Sequence, residues 1–194
     1  GYTADKVGIV GSSAGGHLAA MASTIGSFKP AFSVLFYPVI TAEKGKGHQG
    51  SFNALLGGSR NAESDTWYSL QNRVTAQTPP TLLLLSDDDK VVPPVNSTLY
   101  YNALKEHGVK ASMHIYPTGG HGWGIRDHFE YKEQWQQATL DWLKELNDDR
   151  NTASVLLRQP GLPGCVDVGI RPATSRKSAG RELAEAVLQA AVQE

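Results

Sequence analysis

The chain has 194 residues, 40% of them hydrophobic and 19% charged, with a formal net charge of -1, which is enough apolar content to bury a core of ordinary size. With 18 basic against 19 acidic side chains there is no basic field to neutralise phosphates, so nucleic acid is excluded as a partner. The lone cysteine, Cys165, excludes an internal disulfide framework and a cysteine-only metal site while leaving the compartment open, and apolar runs such as 81–85 fall far short of the ~20 residues of a membrane helix, so no membrane partner is expected.

Over residues 1–146 short apolar, β-rich runs alternate with helical patterns, the signature of βαβ units and a mostly parallel sheet. In chain order the pattern predicts a strand over 6–10, a helix over 14–24 and a strand over 32–37. A long connection over 41–58 follows, and then a helix over about 63–71. The remaining elements are a strand over Thr81–Ser86, a helix over 95–107, a strand over Ala111–Tyr116 and a helix over 128–146 with Phe129, Trp135, Leu140, Trp142 and Leu143 as its apolar stripe. The fold class is therefore α/β, with about four strands and flanking helices, and the near-continuous apolar strands suit a sheet covered on both faces. Ligands of such sheets sit beyond the carboxyl ends of the strands, which points to the loops 86–94 and 117–124.

Composition changes near residue 147. All 4 Trp, 7 Tyr, 5 Phe and 6 His precede it, whereas Arg150, Arg158, Arg171, Arg176 and Arg181 follow it. Residues 147–179 are rich in Gly, Pro, Ser, Thr and Asp and read as linker. Over 180–194, Leu183, Val187, Ala190 and Ala191 share one face at helical spacing, so a short amphipathic helix is expected there.

The first predicted strand runs into Gly11-Ser12-Ser13-Ala14-Gly15, a G-x-S-x-G centred on Ser13, and a helical pattern begins at once. Such a turn lifts the serine out of the sheet at the cost of backbone strain, and side chains at Gly11 and Gly15 are expected to collide across it. The helix N-terminus aims unpaired N–H groups at the place where an oxyanion would form, with the Ala14 N–H as one donor. The same glycines also fit a βα turn of a nucleotide-binding fold, but a P-loop lysine and G-x-G-x-x-G spacing are missing.

A serine hydroxyl needs a histidine to take its proton and an acid to fix that histidine. His121 stands in a glycine-rich loop directly after the strand Ala111–Tyr116. His114 lies within that strand, His17 on the elbow helix, His107 and His128 at helix ends and His48 in a loop, so His121 is preferred. Asp87-Asp88-Asp89 follows the strongest strand, and the return to apolar sequence at Val91-Val92-Pro93 favours Asp89 as the acid, with Asp88 in reserve. Ser13, Asp89 and His121 then occur in the chain order Ser, acid, His. Trp123 is expected either to line an acyl or sugar pocket or to pack the loop, and Lys44, Lys46 and His48 in 41–58 either to form part of a lid or simply to be solvated.

The segments K-V-G-I-V-G-S-S-A-G-G-H-L-A, T-P-P-T-L-L-L-L-S-D-D-D-K-V-V-P-P-V-N-S and H-I-Y-P-T-G-G-H-G-W-G closely resemble the α/β-hydrolase superfamily, specifically its esterase/lipase branch, which includes bacterial acetyl and feruloyl esterases of plant polysaccharides. The resemblance covers about 1–146 and implies a partial α/β-hydrolase catalytic domain followed by an unassigned tail, 147–194. It implies a carboxylic-ester hydrolase acting on a small or polysaccharide-borne ester, with Ser13 as nucleophile, His121 as base and Asp89 as orienting acid, and with no metal or organic cofactor. It tilts the compartment toward the periplasm or the cell exterior. Members carry several strands and an H-G-G-G-like loop before the elbow, so the resemblance also implies a fragment, inactive or weakly active, with 6–10 turned into an exposed apolar edge. A prolyl-oligopeptidase-type serine peptidase resembles the same motifs, and a non-catalytic remnant is a third reading.

Overall fold

The β-branched and leucine-rich runs assemble into one parallel sheet in the order β1-β2-β3-β4, in a computed structural model that describes residues 7–27, 29–124 and 126–156. The expected terminal helix over 180–194 and the linker beyond 156 lie outside the described residues. The strands are β1 (Ile9–Ser12), β2 (Ser33–Phe36), β3 (Thr81–Ser86) and β4 (Ala111–Tyr116), the last two with the bounds read from sequence. Every residue of β2 and β3 is buried, as strands covered on both faces must be.

Strand β1 is displaced from the predicted 6–10 because Gly11 and Ser12 stay extended and pair with Leu35 and Phe36 before the chain turns. It pairs with β2 alone among the described residues, and its residues are half-buried rather than openly exposed. The helices are α1 (Ser13–Thr24), α2 (Gln49–Leu56), α3 (Ala62–Tyr68), α4 (Val95–Glu106) and α5 (Lys132–Leu156). Each parallel step needs a crossover; α1 provides it between β1 and β2, α2 and α3 lie between β2 and β3, and α4 between β3 and β4.

One core joins a sheet face to α1 and α4: Leu35 and Leu83 meet Ala19 and Ala20 from α1 and Tyr100, Ala103 and Leu104 from α4. The alternate residues Val34, Leu82 and Leu84 are equally buried, so the central strands have no wet face. The register Ser12↔Phe36 and Phe36↔Leu84, with Ser86↔Tyr116, brings the strand ends to one rim, so that the loops leaving β1, β3 and β4 start side by side.

Two sequence expectations need correction. The connection 41–58 contains a helix, α2, whose first turn is capped by His48 and whose Phe52 is buried with Val39, Ala42 and Val92, while Lys44 is exposed as expected. Two glycines flank that helix and conceal it in composition. The last helix begins at Lys132 rather than 128, since Phe129 and Lys132 donate back to the Arg126 and Phe129 carbonyls in successive tight turns that leave Phe129 outside the helix. Helix α5 lies at the start of a second unit, from Glu133, and runs through residue 147 to Leu156, because neither Gly nor Pro interrupts the sequence there.

Leu83, fully buried between sheet and helices, is a test of this core. Leu83→Ala is expected to cost about 2–5 kcal/mol in urea unfolding. Leu18→Ala, at a residue 65% exposed, is expected to stay within about 0.5 kcal/mol of the parent.

Candidate active site

Ser13 opens α1 with φ of +52°, a left-handed conformation that L-residues other than glycine rarely adopt. The space around it explains part of the glycine pattern. A Cβ on Gly11 would lie 2.3 Å from the Gly15 carbonyl oxygen and one on Gly16 would lie 2.7 Å from Pro38 Cβ. The expected clash at Gly15 is absent, since a Cβ there meets nothing within 4 Å; Gly16 rather than Gly15 is the second close approach.

Hydrogen bonds hold the strained turn. The Val39 N–H donates to the Ser13 carbonyl at 3.0 Å, and the Val39 carbonyl accepts from His17 Nδ1 at 3.1 Å. His17 is 6% exposed, with its ring edge-on to Phe52 at 5.2 Å. Burial lowers its pKa below the usual 6.5, and the weaker opposing influence is the Val39 carbonyl, which favours the proton. The neutral ring with its proton on Nδ1 is thus the form that fits.

The serine hydroxyl lies 2.8 Å from His121 Nε2, and His121 Nδ1 lies 2.6 Å from Asp89 Oδ2. Asp89 is 4% exposed, and its other oxygen accepts the N–H groups of Val91 and Val92, each at 2.9 Å. The return to apolar sequence after the acids therefore anchors Asp89 by backbone donors as well as by packing. With Nδ1–H donated to Asp89, the Nε2 lone pair faces the Ser13 hydroxyl, the tautomer a general base requires. The structure thus brings Ser13, His121 and Asp89 together. Asp88 does not reach His121: it is exposed, and its carboxylate accepts from the N–H groups of Gly120 at 2.7 Å and Gly119 at 3.4 Å.

Ala14, the second residue of α1, is exposed at the turn, where a helical N–H has no intrahelical acceptor. The other histidines are occupied elsewhere. His48 caps α2 through Ser51, and His107 bonds the Ala103 carbonyl at the end of α4. His114 is held in β4 with its pKa lowered by burial, and His128 stands exposed in a turn.

Trp123 both packs the loop and borders the cavity beside His121. It is 2% exposed, stacked on Phe129 at 4.0 Å and set at steep angles to Phe36, Tyr37 and Tyr116. Tyr37 was missed, because in sequence it reads only as the end of a strand. Its φ is +34°, its ring lies 4.7 Å from that of His121, and its hydroxyl accepts the Gly124 N–H at 3.0 Å. A cavity of about 200 Å³ opens beside the histidine, lined by Thr118, Gly119, His121, Arg126 and Glu130 among others. Among the described residues no group of His, Cys, Asp and Glu is arranged to hold a metal, and no helix is long and apolar enough to cross a membrane.

A parallel sheet that offers a left-handed serine after one strand, and that returns a histidine and a carboxylate to it from the loops of two later strands, is the arrangement of an α/β-hydrolase. More narrowly, the chain belongs to the prolyl oligopeptidase family, whose family model matches residues 1–149. It is 40% identical over 148 residues to an acetylxylan esterase of Xylanibacter ruminicola, covering 73% of this chain and 31% of that relative. It also resembles the acetyl ester-xyloside bifunctional hydrolase of Caldicellulosiruptor lactoaceticus, with a TM-score of 0.69 and 35% identity over 74% of this chain and 57% of that one. The carboxylesterase Cest-2923 of Lactobacillus plantarum has the same fold at a TM-score of 0.64 and 23% identity, over 75% of this chain and 60% of that one. The chain spans about a third or less of the length of the curated relatives it matches.

The turn yields two predictions. Gly11→Ala must displace backbone and is expected to cost about 1–3 kcal/mol in denaturant unfolding. Gly15→Ala, with open space and a helical position, is expected to be neutral or to stabilise by up to about 1 kcal/mol. The second concerns His17. Its folded pKa is depressed, so its neutral form contributes stability that is fully present above pH 6.5 and is lost as pH falls from there toward the folded value. Unfolding free energy measured from pH 8 to 5 is therefore expected to decline below 6.5, and His17→Gln to flatten that decline, with His114 supplying the remainder in the same direction.

Proposed function

We propose that the chain is a serine hydrolase of carboxylic esters and that acetyl groups borne on xylan-type carbohydrate are its substrate class. The observation that carries the reading is the proton-handling chain from the Ser13 hydroxyl through His121 to the buried Asp89, with the serine in a strained left-handed turn. The acetyl specificity is supported by two relatives, the acetylxylan esterase and the acetyl ester-xyloside hydrolase.

The chemistry follows from the geometry. Ser13 Oγ attacks the acyl carbon while its proton moves to His121 Nε2, and the carbonyl π pair collapses onto oxygen to give a tetrahedral oxyanion. The Ala14 N–H, at the positive end of α1, donates to that oxyanion. Asp89 stabilises the imidazolium and fixes the ring. The C–O bond to the alcohol breaks as His121 returns the proton to the leaving oxygen, leaving an acyl-serine. Water, deprotonated by the same nitrogen, then attacks the acyl carbon, and the second tetrahedral intermediate collapses as His121 returns that proton to Ser13 Oγ, releasing the carboxylic acid. No redox partner or bound metal enters this balance.

The match to the prolyl oligopeptidase family keeps peptide cleavage as a second reading, because the same triad attacks an amide. Hydrolysis of p-nitrophenyl acetate and acetylated xylo-oligosaccharides, compared with prolyl p-nitroanilides, separates the two. Turnover of the esters is expected, together with covalent labelling of Ser13 by a fluorophosphonate, and Ser13→Ala is expected to abolish labelling and to lower turnover by on the order of 10³-fold or more. Folded wild-type protein that is neither labelled nor active on any of these substrates overturns the reading in favour of a non-catalytic remnant.

A further inference from the structure

We propose that Asp88 is a positioning residue that fixes the histidine loop upstream of His121, as Tyr37 does downstream, an inference that rests on the hydrolase reading. The loop between β4 and residue 124 is intrinsically permissive. Gly119, Gly120, Gly122 and Gly124 have φ of +137°, +60°, +78° and +43°, so the backbone on both sides of His121 occupies conformations that glycine reaches at no steric cost and leaves just as readily. Holding an imidazole 2.8 Å from a hydroxyl on such a backbone requires external contacts that offset its entropy.

Two polar clamps do this. Downstream of His121, the Gly124 N–H is held by the Tyr37 hydroxyl at 3.0 Å. Upstream, the consecutive N–H groups of Gly119 and Gly120 converge on one carboxylate, Asp88, at 3.4 and 2.7 Å. Hydrogen bonds to an ionised acceptor are shorter and stronger than neutral ones, so an exposed carboxylate holds this backbone where a neutral side chain would hold it less well.

The chain placement matters as much as the bonds. Asp88 and Asp89 are adjacent, so one turn after β3 grips the loop twice, by the imidazole through Asp89 and by the backbone one and two residues upstream through Asp88. Ser86, at the base of the same turn, lies beneath Gly119, where a Cβ would come within 2.7 Å of Ser86 Oγ and 2.4 Å of Phe129 Cε2. The acidic run thus divides its work: one carboxylate faces the reacting chain of groups, the next holds the frame that carries the histidine.

The test uses the full chain and three variants, Asp88→Ala, Asp88→Asn and Ser13→Ala. A misplacement of about 1 Å costs on the order of 10²-fold, so Asp88→Ala is expected to lower kcat for p-nitrophenyl acetate by roughly 10-fold to 10²-fold with KM within about twofold. Asp88→Asn, which keeps one acceptor oxygen, is expected to recover part of that loss. An independent readout is the far-downfield ¹H NMR line of the His121 Nδ1 proton shared with Asp89, which is expected to broaden or shift in Asp88→Ala while the melting temperature stays within a few degrees of the parent. Wild-type kcat with an unaltered line in Asp88→Ala overturns the proposal, as does a loss of activity that only follows a fall in melting temperature. Wild-type turnover no greater than that of Ser13→Ala sinks the hydrolase reading instead, and the NMR line still decides whether Asp88 sets the loop.

Discussion

Everything at the rim depends on a single backbone conformation, Ser13 at φ of +52°. A non-glycine residue in that region costs of order 1–3 kcal/mol and persists only when its surroundings over-determine it. Here the surroundings act from three directions. Strand β1 keeps Gly11 and Ser12 extended against β2 up to the turn, and α1 begins at the serine itself. The Val39 N–H fixes the Ser13 carbonyl from the segment that follows β2. His17, one turn along α1, closes the circuit by bonding the Val39 carbonyl. The elbow is therefore tied to the second strand's exit as well as to its own helix.

The carboxylate obeys a different constraint. Burying an ion is costly unless its oxygens are satisfied, and Asp89 is nearly inaccessible. One oxygen takes two backbone N–H groups from the tight turn ahead of it, and the other takes the imidazole N–H. The acid is consequently rigid before it meets His121, and it transmits that rigidity to the ring. Beside the ring lies Tyr37, which itself packs on Trp123 and, through it, on Phe129.

Much of this was legible in sequence because it is written in local signals. Thr81–Ser86 carries an uninterrupted run of leucines and Ala111–Tyr116 an alternating apolar pattern, both bounded by turn residues, and a glycine-flanked serine between strand and helix has few structural meanings. The failures share a cause, dependence on contacts distant in the chain. Helix α2 is short, flanked by glycines and stabilised by burial of Phe52 under residues from after β2 and after β3, so periodicity hardly marks it. Tyr37 gains its role from a hydroxyl that reaches 87 residues along the chain. For Trp123 the sequence leaves lining a pocket and packing the loop equally open, because nothing in it discloses that Phe36, Tyr116 and Phe129 surround a residue that also borders the cavity.

The glycines of the histidine loop show the two uses of that residue side by side. At Gly119 the reason is steric, since Phe129 and Ser86 occupy the place of a Cβ. At Gly120 and Gly122 there is open space, and the requirement is the positive φ alone. A loop with both kinds follows its path cheaply but does not hold it, because the freedom that admits the native path admits many others. Rigidity must then come from outside the loop. It comes from groups already fixed by the sheet, the hydroxyl at the end of β2 and the carboxylates after β3. The order of the strands accordingly does more than bring three side chains to one rim: by placing β2 and β3 beside β4 or one strand removed from it, the fold puts rigid polar ends within reach of the one segment that cannot order itself.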